Sequence, residues 1–463
     1  MIMKDLTPHA TMSGSESERQ PTEVLAAYVA NSDFKVLPQP VIKEALRSIL
    51  NFVGCAIGGS NHETVDIAVE AFAPYSGTPT ATIFGRSERF DTPRAALING
   101  ISSHVLDFDD THPECLLHPG SPVASAAFAL AETFDLSGRE IINAFVVGVE
   151  VECRVALAVA PGHYAAGWHA TGTAGVFGAA AAASRLLKLD ALHTKWALGI
   201  AATQSAGLRE MFGSMCKSLN PGKAAENGLT AALLAAKGFT SADRPIEGKS
   251  GFAAVTSPTR DLAQITKGLG TEYLLLGNTY KAYACGIVIH PAIDGCIRIR
   301  ERRQGSAQDV AAIELIVHPL VIELTGKQSP FTGLEGKFSV YHSAAAAYLD
   351  GDCGEAQYSD ARVQAADVVS LRGKVKAVTD ASLRLEEAYV DITFHDGQRE
   401  RIHVEFCVGS LQNPLTDEAL DAKVFKLCEG IIPEMRARES ISFIRNLEQC
   451  KGIKGNLDLM RRT

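Results

Sequence analysis

The sequence predicts a mainly α protein, a large all-helical domain joined to a smaller α/β domain, on three observations. Residues 21 to about 265 carry apolar side chains at helical spacing, with unusual amounts of Ala and Gly. After Gly268 the pattern changes to short β-favourable runs, and from Thr416 helical spacing returns. The boundaries that follow are 21–268 with about 416–463 for the helical domain, 269–415 for the α/β domain, and a flexible polar tail over 1–20. At about 150 residues per domain, a chain of 463 residues has room for two or three such units.

The first clear helix places Val41, Ile42, Ala45, Leu46, Ile49, Leu50 and Val53 on one face and stops at Gly58-Gly59. A second carries the stripe Leu97, Ile101, Val105, Phe108. Further helices are expected over Ser121–Phe134, Gly138–Val159, Gly172–Leu187, Leu189–Ala201 and Gly222–Ala236. Two of them, AAFALAETF and TAGVFGAAAAAS, are nearly apolar all round and belong between neighbours rather than on a surface. Val310–Val317 reads as a strand ended by His318-Pro319, since Pro is excluded from central strands. Phe338–Leu349 reads as a helix. Val390, Ile392 and Phe394, then Ile402, Val404 and Phe406, alternate about the turn His395–Gln398, which is a hairpin signal. Thr416 caps the next helix, with Asp417 and Glu418 in its first turn where acids suit the dipole.

With 44 Lys+Arg against 53 Asp+Glu, the net charge of −9 gives no general attraction to nucleic acid or an anionic membrane. A local cationic cluster for a small anion remains compatible with it. No apolar run is long enough to span a bilayer, and the N-terminal MIMKDLTPHATMSGSESERQ lacks a signal peptide's core. The ten cysteines form no CxxC pair and read as reduced core thiols, so a cytoplasmic protein is expected.

Four polar clusters could carry chemistry. Asp107-Phe-Asp-Asp-Thr-His-Pro-Glu-Cys-Leu-Leu-His118 follows the second helix directly. Its Asp107-x-Asp109-x-Thr111 matches the DxDxT string of aspartyl-phosphate phosphatases, but that chemistry needs a preceding strand and this segment is helix-patterned. An Asp/His metal site and a plain solvated helix end are the other readings. His169 stands at the Gly-rich entry to a buried helix, where exposed N–H groups suit a carboxylate; it could equally be a structural histidine. Lys217 lies in a loop-like stretch before Gly222, and Lys281 lies at the junction of the two domains. No Walker lysine, GxGxxG, GxSxG or HExxH motif is present.

Five strings, HVLDFDDTHPECLLHPGSP (104–122), GWHATGTAGVFGAAAAAS (167–184), KSLNPGKAAENG (217–228), KAYACG (281–286) and GSLQNPLT (409–416), stand in order along the chain. In them the chain resembles the 2-methylcitrate dehydratase (MmgE/PrpD) family, which also includes cis-aconitate decarboxylase and iminodisuccinate epimerase. The resemblance implies a helical domain with an α/β lid, a homodimer, and a cofactor-independent, metal-independent lyase for a small di- or tricarboxylate. By analogy with the decarboxylase, the site takes Asp107, Thr111, His118, His169, Lys217 and Lys281. In such a site His118 and His169 would be the acid/base pair and Asp107 the orienter of one imidazole. Lys217 would serve catalysis as a carboxylate clamp, with Thr111 and Lys281 binding substrate. The decarboxylase pattern has a His where this chain has Gly286, and a Tyr where Leu320–Thr325 offers only apolar, Thr or Glu side chains. A hydro-lyase is therefore expected ahead of a decarboxylase. GHYAAGWH and KFS are closer to the epimerase, which makes an isomerase the alternative.

Overall fold

The buried Ala- and Gly-rich helices set the arrangement, because small residues let backbones approach closely. The structure is a computed structural model that describes residues 20–303 and 307–462; the tail expected before Pro21 lies, except for Gln20, outside them. Its principal helices are α1 (Pro21–Asn31), α2 (Gln39–Gly59), α3 (Glu63–Phe72), α4 (Thr92–Val105), α5 (Gly120–Phe134), α6 (Gly138–Val159), α7 (Gly175–Leu186), α8 (Ala191–Ala202) and α9 (Cys216–Ala235). Helix α6 begins at a capping box: Ser137 accepts from the Glu140 N–H while Glu140 accepts from Ser137. Helix α7 is buried on every side except at Arg185. A Cβ on Gly148 would lie 2.8 Å from the Gly178 carbonyl oxygen, and one on Gly228 would lie 2.5 Å from that of Val176. Glycines bring α6 and α9 onto α7.

Three expectations are corrected here. Helix α9 starts at Cys216 rather than Gly222, so Lys217 stands in its first turn and not in a loop. Asn220-Pro221-Gly222 looks like a breaker, yet Pro221 lies inside α9, in its second turn, and the helix continues through it. Gly222 is needed for packing: a Cβ on Gly100 of α4 would lie 2.6 Å from the Gly222 Cα. The stripe of α4 ends at Val105, and Phe108 falls beyond the helix because Asp107 adopts φ 50°. The expected helix over Gly172–Leu187 is divided at Ala174 into Ala170–Thr173 and α7.

The first portion is not purely helical. Strand β1 (Ala81–Thr82) pairs with β2 (Arg89–Phe90), and β3 (Asp110–Thr111) pairs antiparallel with β4 (Thr279–Tyr280). Two-residue strands have no period to read in a sequence. Further on, β5 (Val310–Val317), β6 (Val375–Thr379), β7 (Ala388–Phe394) and β8 (Arg399–Val404) form one sheet in the order β6-β5-β7-β8. The β5–β6 pair is parallel; β5–β7 and the hairpin β7–β8 are antiparallel. Helices α10 (His290–Arg303), α11 (Pro319–Thr325) and α12 (Val340–Asp350) accompany the sheet. Gly295 lets α10 lie on β7, since a Cβ there would meet Val390 Cγ2 at 2.3 Å.

Two apolar cores result. Leu275 and Tyr280 belong to the first, and Ala284 and Cys285 belong to the second, so the change of core falls later than residue 268. Helices α13 (Asp417–Cys428) and α14 (Glu434–Arg445) return to the first core through Leu420, Val424 and Ile444. Thr416 caps α13 by accepting from the Ala419 N–H. Cys216 is exposed and Cys450 half-buried, so these two are not core thiols, whereas the other eight are buried and free. Among the described residues no helix is long and apolar enough to cross a membrane.

The α4–α9 crossing yields a stability test. A Cβ at Gly222 would lie 2.6 Å from the Leu97 carbonyl oxygen, a backbone atom that cannot swing away. Gly222→Ala is expected to destabilise the protein by about 1–3 kcal/mol, even after the gain in helix propensity. The measurement is the urea midpoint, which falls while the slope is unchanged.

Candidate active site

The C-terminus of α4 organises the site. Its last carbonyls have no partners within the helix, and the chain turns left-handed at Asp107, whose N–H donates to the His104 carbonyl at 2.9 Å. Three ammonium groups from distant segments hold the turn. Lys337 Nζ donates to the carbonyls of Leu106 (2.7 Å) and Ala284 (2.8 Å) and to Glu355 Oε1 (2.8 Å). Lys281 Nζ donates to the Asp107 carbonyl at 3.0 Å. Lys423 Nζ donates to the carbonyls of Phe108 (2.7 Å) and Lys281 (2.9 Å) and to Asn51 Oδ1 (2.8 Å). Successive carbonyls at 106, 107 and 108 each receive a cation, the charge that a helix C-terminus favours.

The Asp107 carboxylate points inward. Its Oδ1 accepts from Lys281 Nζ at 2.6 Å and Lys217 Nζ at 2.8 Å, while Oδ2 is buried without a partner. Burial alone would raise its pKa, but the two ammonium groups hold it well below the usual carboxylate range. Lys217 is pulled below the ordinary lysine value, by burial first and also by Lys281, with Asp107 opposing. Its Nζ lies 5.4 Å from the Phe212 ring centre and 5.5 Å from that of Phe338. Asp107 therefore neutralises ammonium groups and does not orient an imidazole, which corrects the role expected for it.

Asp109 takes that role. Its Oδ2 lies 2.7 Å from Nδ1 of His104, a buried ring in the last turn of α4, and its Oδ1 lies 3.4 Å from His118 Nδ1. Burial lowers the His104 pKa to about 4, so that ring is neutral near pH 7.

The hydrogen-bond partners of the other two rings fix their tautomers. His118 Nδ1 lies 2.8 Å from the Asp110 carbonyl, which can only accept. In the neutral ring the proton is therefore on Nδ1, and Nε2 is the nitrogen with the lone pair. His169 is the reverse. Asn220 Nδ2 donates to its Nδ1 at 2.9 Å, so the proton is on Nε2, which is buried without a partner. Burial, then His104 and Lys217, hold the His169 pKa well below the ordinary histidine value. The rings of His118 and His169 are 6.5 Å apart, and that of His104 lies 4.7 and 5.7 Å from them. His104, His118 and His169 can also offer nitrogens within 4.8 Å of one another, a set that could ligate a metal, as could Asp107, Asp109 and His118.

All six residues singled out in the sequence, Asp107, Thr111, His118, His169, Lys217 and Lys281, line one pocket. The β3–β4 pairing is what joins the first cluster to the fourth, since it sets Asp110 opposite Tyr280, next to Lys281. Thr111 Oγ1 lies 3.4 Å from His118 Nδ1. The Thr171 hydroxyl accepts from the His118 N–H at 3.1 Å, which ties the second cluster to the first. Lys281 is 1% exposed and bonded to Asp107, so it reaches a ligand mainly as charge. Sequence reasoning missed His104, Asp109, Asn220, Lys337 and Lys423. The strings around 104–122 and 217–228 contained the first three, but nothing in the sequence marked Lys423.

Asp107→Asn would leave two buried ammonium groups without a counter-charge and is expected to destabilise the protein by about 3–5 kcal/mol. Because the folded-state pKa of Asp107 is depressed, its contribution is complete above the unfolded value of about 3.9. It is lost only as pH falls through the folded value. Urea unfolding of both proteins should thus show a constant gap from pH 7 to about pH 4, closing below that.

Comparison with known proteins agrees with this architecture. The MmgE/PrpD N-terminal domain matches residues 23–265, and the MmgE/PrpD C-terminal domain matches residues 283–449. The cis-aconitate decarboxylase-like protein oryM of Aspergillus oryzae (strain ATCC 42149 / RIB 40) is 26% identical, over 97% of this chain and 99% of that one. Cis-aconitate decarboxylase of Aspergillus terreus (strain NIH 2624 / FGSC A1156) is 26% identical, over 95% of each chain. Cis-aconitate decarboxylase of Homo sapiens is 25% identical, over 92% of each. With both domains matched in order along most of its length, the chain belongs to the MmgE/PrpD family.

Proposed function

We propose that the protein is a lyase that takes a proton from the carbon next to a carboxylate of a small di- or tricarboxylate, with dehydration as the overall reaction. The observation that carries this reading is the opposed pair of tautomers, a bare Nε2 on His118 and a protonated Nε2 on His169, in one pocket with Lys217. His118 Nε2 accepts the C–H proton. The electron pair becomes the new C=C as the C–O bond on the adjacent carbon breaks. His169 Nε2–H and the Lys217 ammonium stabilise the oxygen on which charge develops, as a neutral imidazole can when burial keeps it from protonating. The departing hydroxyl takes its proton from Lys217, which its lowered pKa makes a readier donor than a surface lysine. Water and an unsaturated acid are the products.

Loss of CO2 from an aconitate-like acid is the second reading, and the names of the relatives favour it. Against it, Gly286, Leu320, Leu324 and Thr325 line the pocket, in the stretches where the decarboxylase pattern has His and Tyr. Epimerisation would use the same proton abstraction with return to the opposite face.

One assay separates the three. The protein is incubated in deuterated water with a panel of hydroxy-, unsaturated and amino-dicarboxylates and tricarboxylates. A dehydratase yields conjugated-alkene absorbance without CO2, a decarboxylase yields CO2, and an epimerase yields deuterated stereoisomer alone. On the productive acid, His118→Ala and His169→Ala should each lower kcat by about 10²–10⁴-fold, with circular dichroism unchanged. Full activity in His169→Ala would end the assignment.

The pH profile gives a second test. Lys217 loses its proton as pH rises through a value below the ordinary lysine pKa of about 10.4, so kcat/KM should fall on the alkaline side before that pH. In Lys217→Arg the positive charge is kept but a guanidinium cannot give up its proton, so kcat should fall by about 10²–10⁴-fold while substrate binding is retained.

A further inference from the structure

The fixed charge in the pocket is confined to one bonded cluster. Among the described residues that line the pocket, the fixed charges are Lys217, Lys281 and Asp107, which leaves one net positive charge for a ligand. A first carboxylate is matched by that charge. A second can be met by the hydroxyl of Thr111 and the Nε2–H of His169, a buried donor that has no partner within the protein. A third finds no further cation in the lining, only uncharged groups such as the Tyr164 hydroxyl.

Much of the remaining lining is hydrocarbon. Leu320 and Leu324 stand one turn apart on the same face of α11, and Ile287, Val288 and Leu385 complete the surface around Gly286. A carboxylate pressed against this wall would lose its water and gain no hydrogen bond, an arrangement that proteins avoid. An alkyl group there would instead leave water favourably.

From this division we infer that the substrate is a dicarboxylate bearing an alkyl substituent. Its carboxylates sit at the Lys217–Lys281–His169 end, and its hydrocarbon lies against Leu320, Leu324 and their neighbours. The inference rests on the lyase reading of the same site and narrows its substrate class.

The test uses binding, so it does not depend on turnover. The full chain is titrated by calorimetry with succinate, methylsuccinate, butylsuccinate, hexylsuccinate and the tricarboxylate tricarballylate. Affinity should rise about three- to fourfold per added methylene over the first carbons of the side chain. Tricarballylate should bind at least about tenfold more weakly than butylsuccinate, as the loss of a buried polar contact implies. A series flat in chain length, or tricarballylate binding tightest, overturns the inference and leaves the lyase reading standing. Failure of every acid to bind overturns both. Leu324→Lys should reverse the preference toward tricarballylate by at least about tenfold, and an unchanged preference in the folded variant also overturns the inference. The wild-type series decides without the variant.

Discussion

A carboxylate withdrawn from water must find opposite charge or become protonated, and Asp107 finds two ammonium groups. In an interior of low effective dielectric, charges at these separations interact several times more strongly than they would in water. The rest of the site is built around that compromise. Lys217 arrives on α9, Lys281 arrives beside β4, and Asp107 stands where α4 turns left-handed. Because one carboxylate faces two ammonium groups, the cluster keeps an unspent positive charge, and that residue of charge suits it to an anionic ligand. A second layer, Lys337 and Lys423 on the flanking carbonyls, keeps the turn from relaxing.

The two imidazoles that face the pocket are distinguished by ordinary hydrogen bonds, not by sequence context. A backbone carbonyl makes one ring a donor at Nδ1, and a side-chain amide makes the other an acceptor at Nδ1. Chemically similar residues thereby acquire opposite hydrogen-bonding character, as environment commonly brings about. Asn220 does this for His169 from the second turn of α9, the same helix that carries Lys217. One helix start therefore positions both the cation and the hydrogen-bond donor.

The long periodic helices α2, α5 and α6, the hairpin β7–β8 and the Thr416 cap were legible because each is governed by local spacing or local capping. The left-handed turn at Asp107 was not, because it depends on lysines separated from it or its neighbours by 174 to 315 residues. Asn220-Pro221-Gly222 misled because its glycine answers to packing against Gly100 and not to local chain breaking. The six site residues came from the resemblance of whole strings, since a lone lysine or histidine has no spacing that marks it. His104 was hidden for the opposite reason. On the inner side of a helix a buried histidine looks like any core residue, and only the adjacent Asp109 reveals it. The substitutions at Gly286 and Leu320–Thr325 could be read as departures, but the hydrocarbon wall they help to build appears only when α11 is placed against the pocket.

The reach of Lys423 to the Phe108 carbonyl spans 315 residues of chain, from α13 back to the end of α4. A nascent polypeptide emerging N-terminus first can form α4, α9 and much of the helical core while this cation is still missing. The turn that carries Asp107 would then be loosely held until α13 has been made. A product truncated before α13 would retain the six pocket residues without the clasp that holds the turn carrying Asp107.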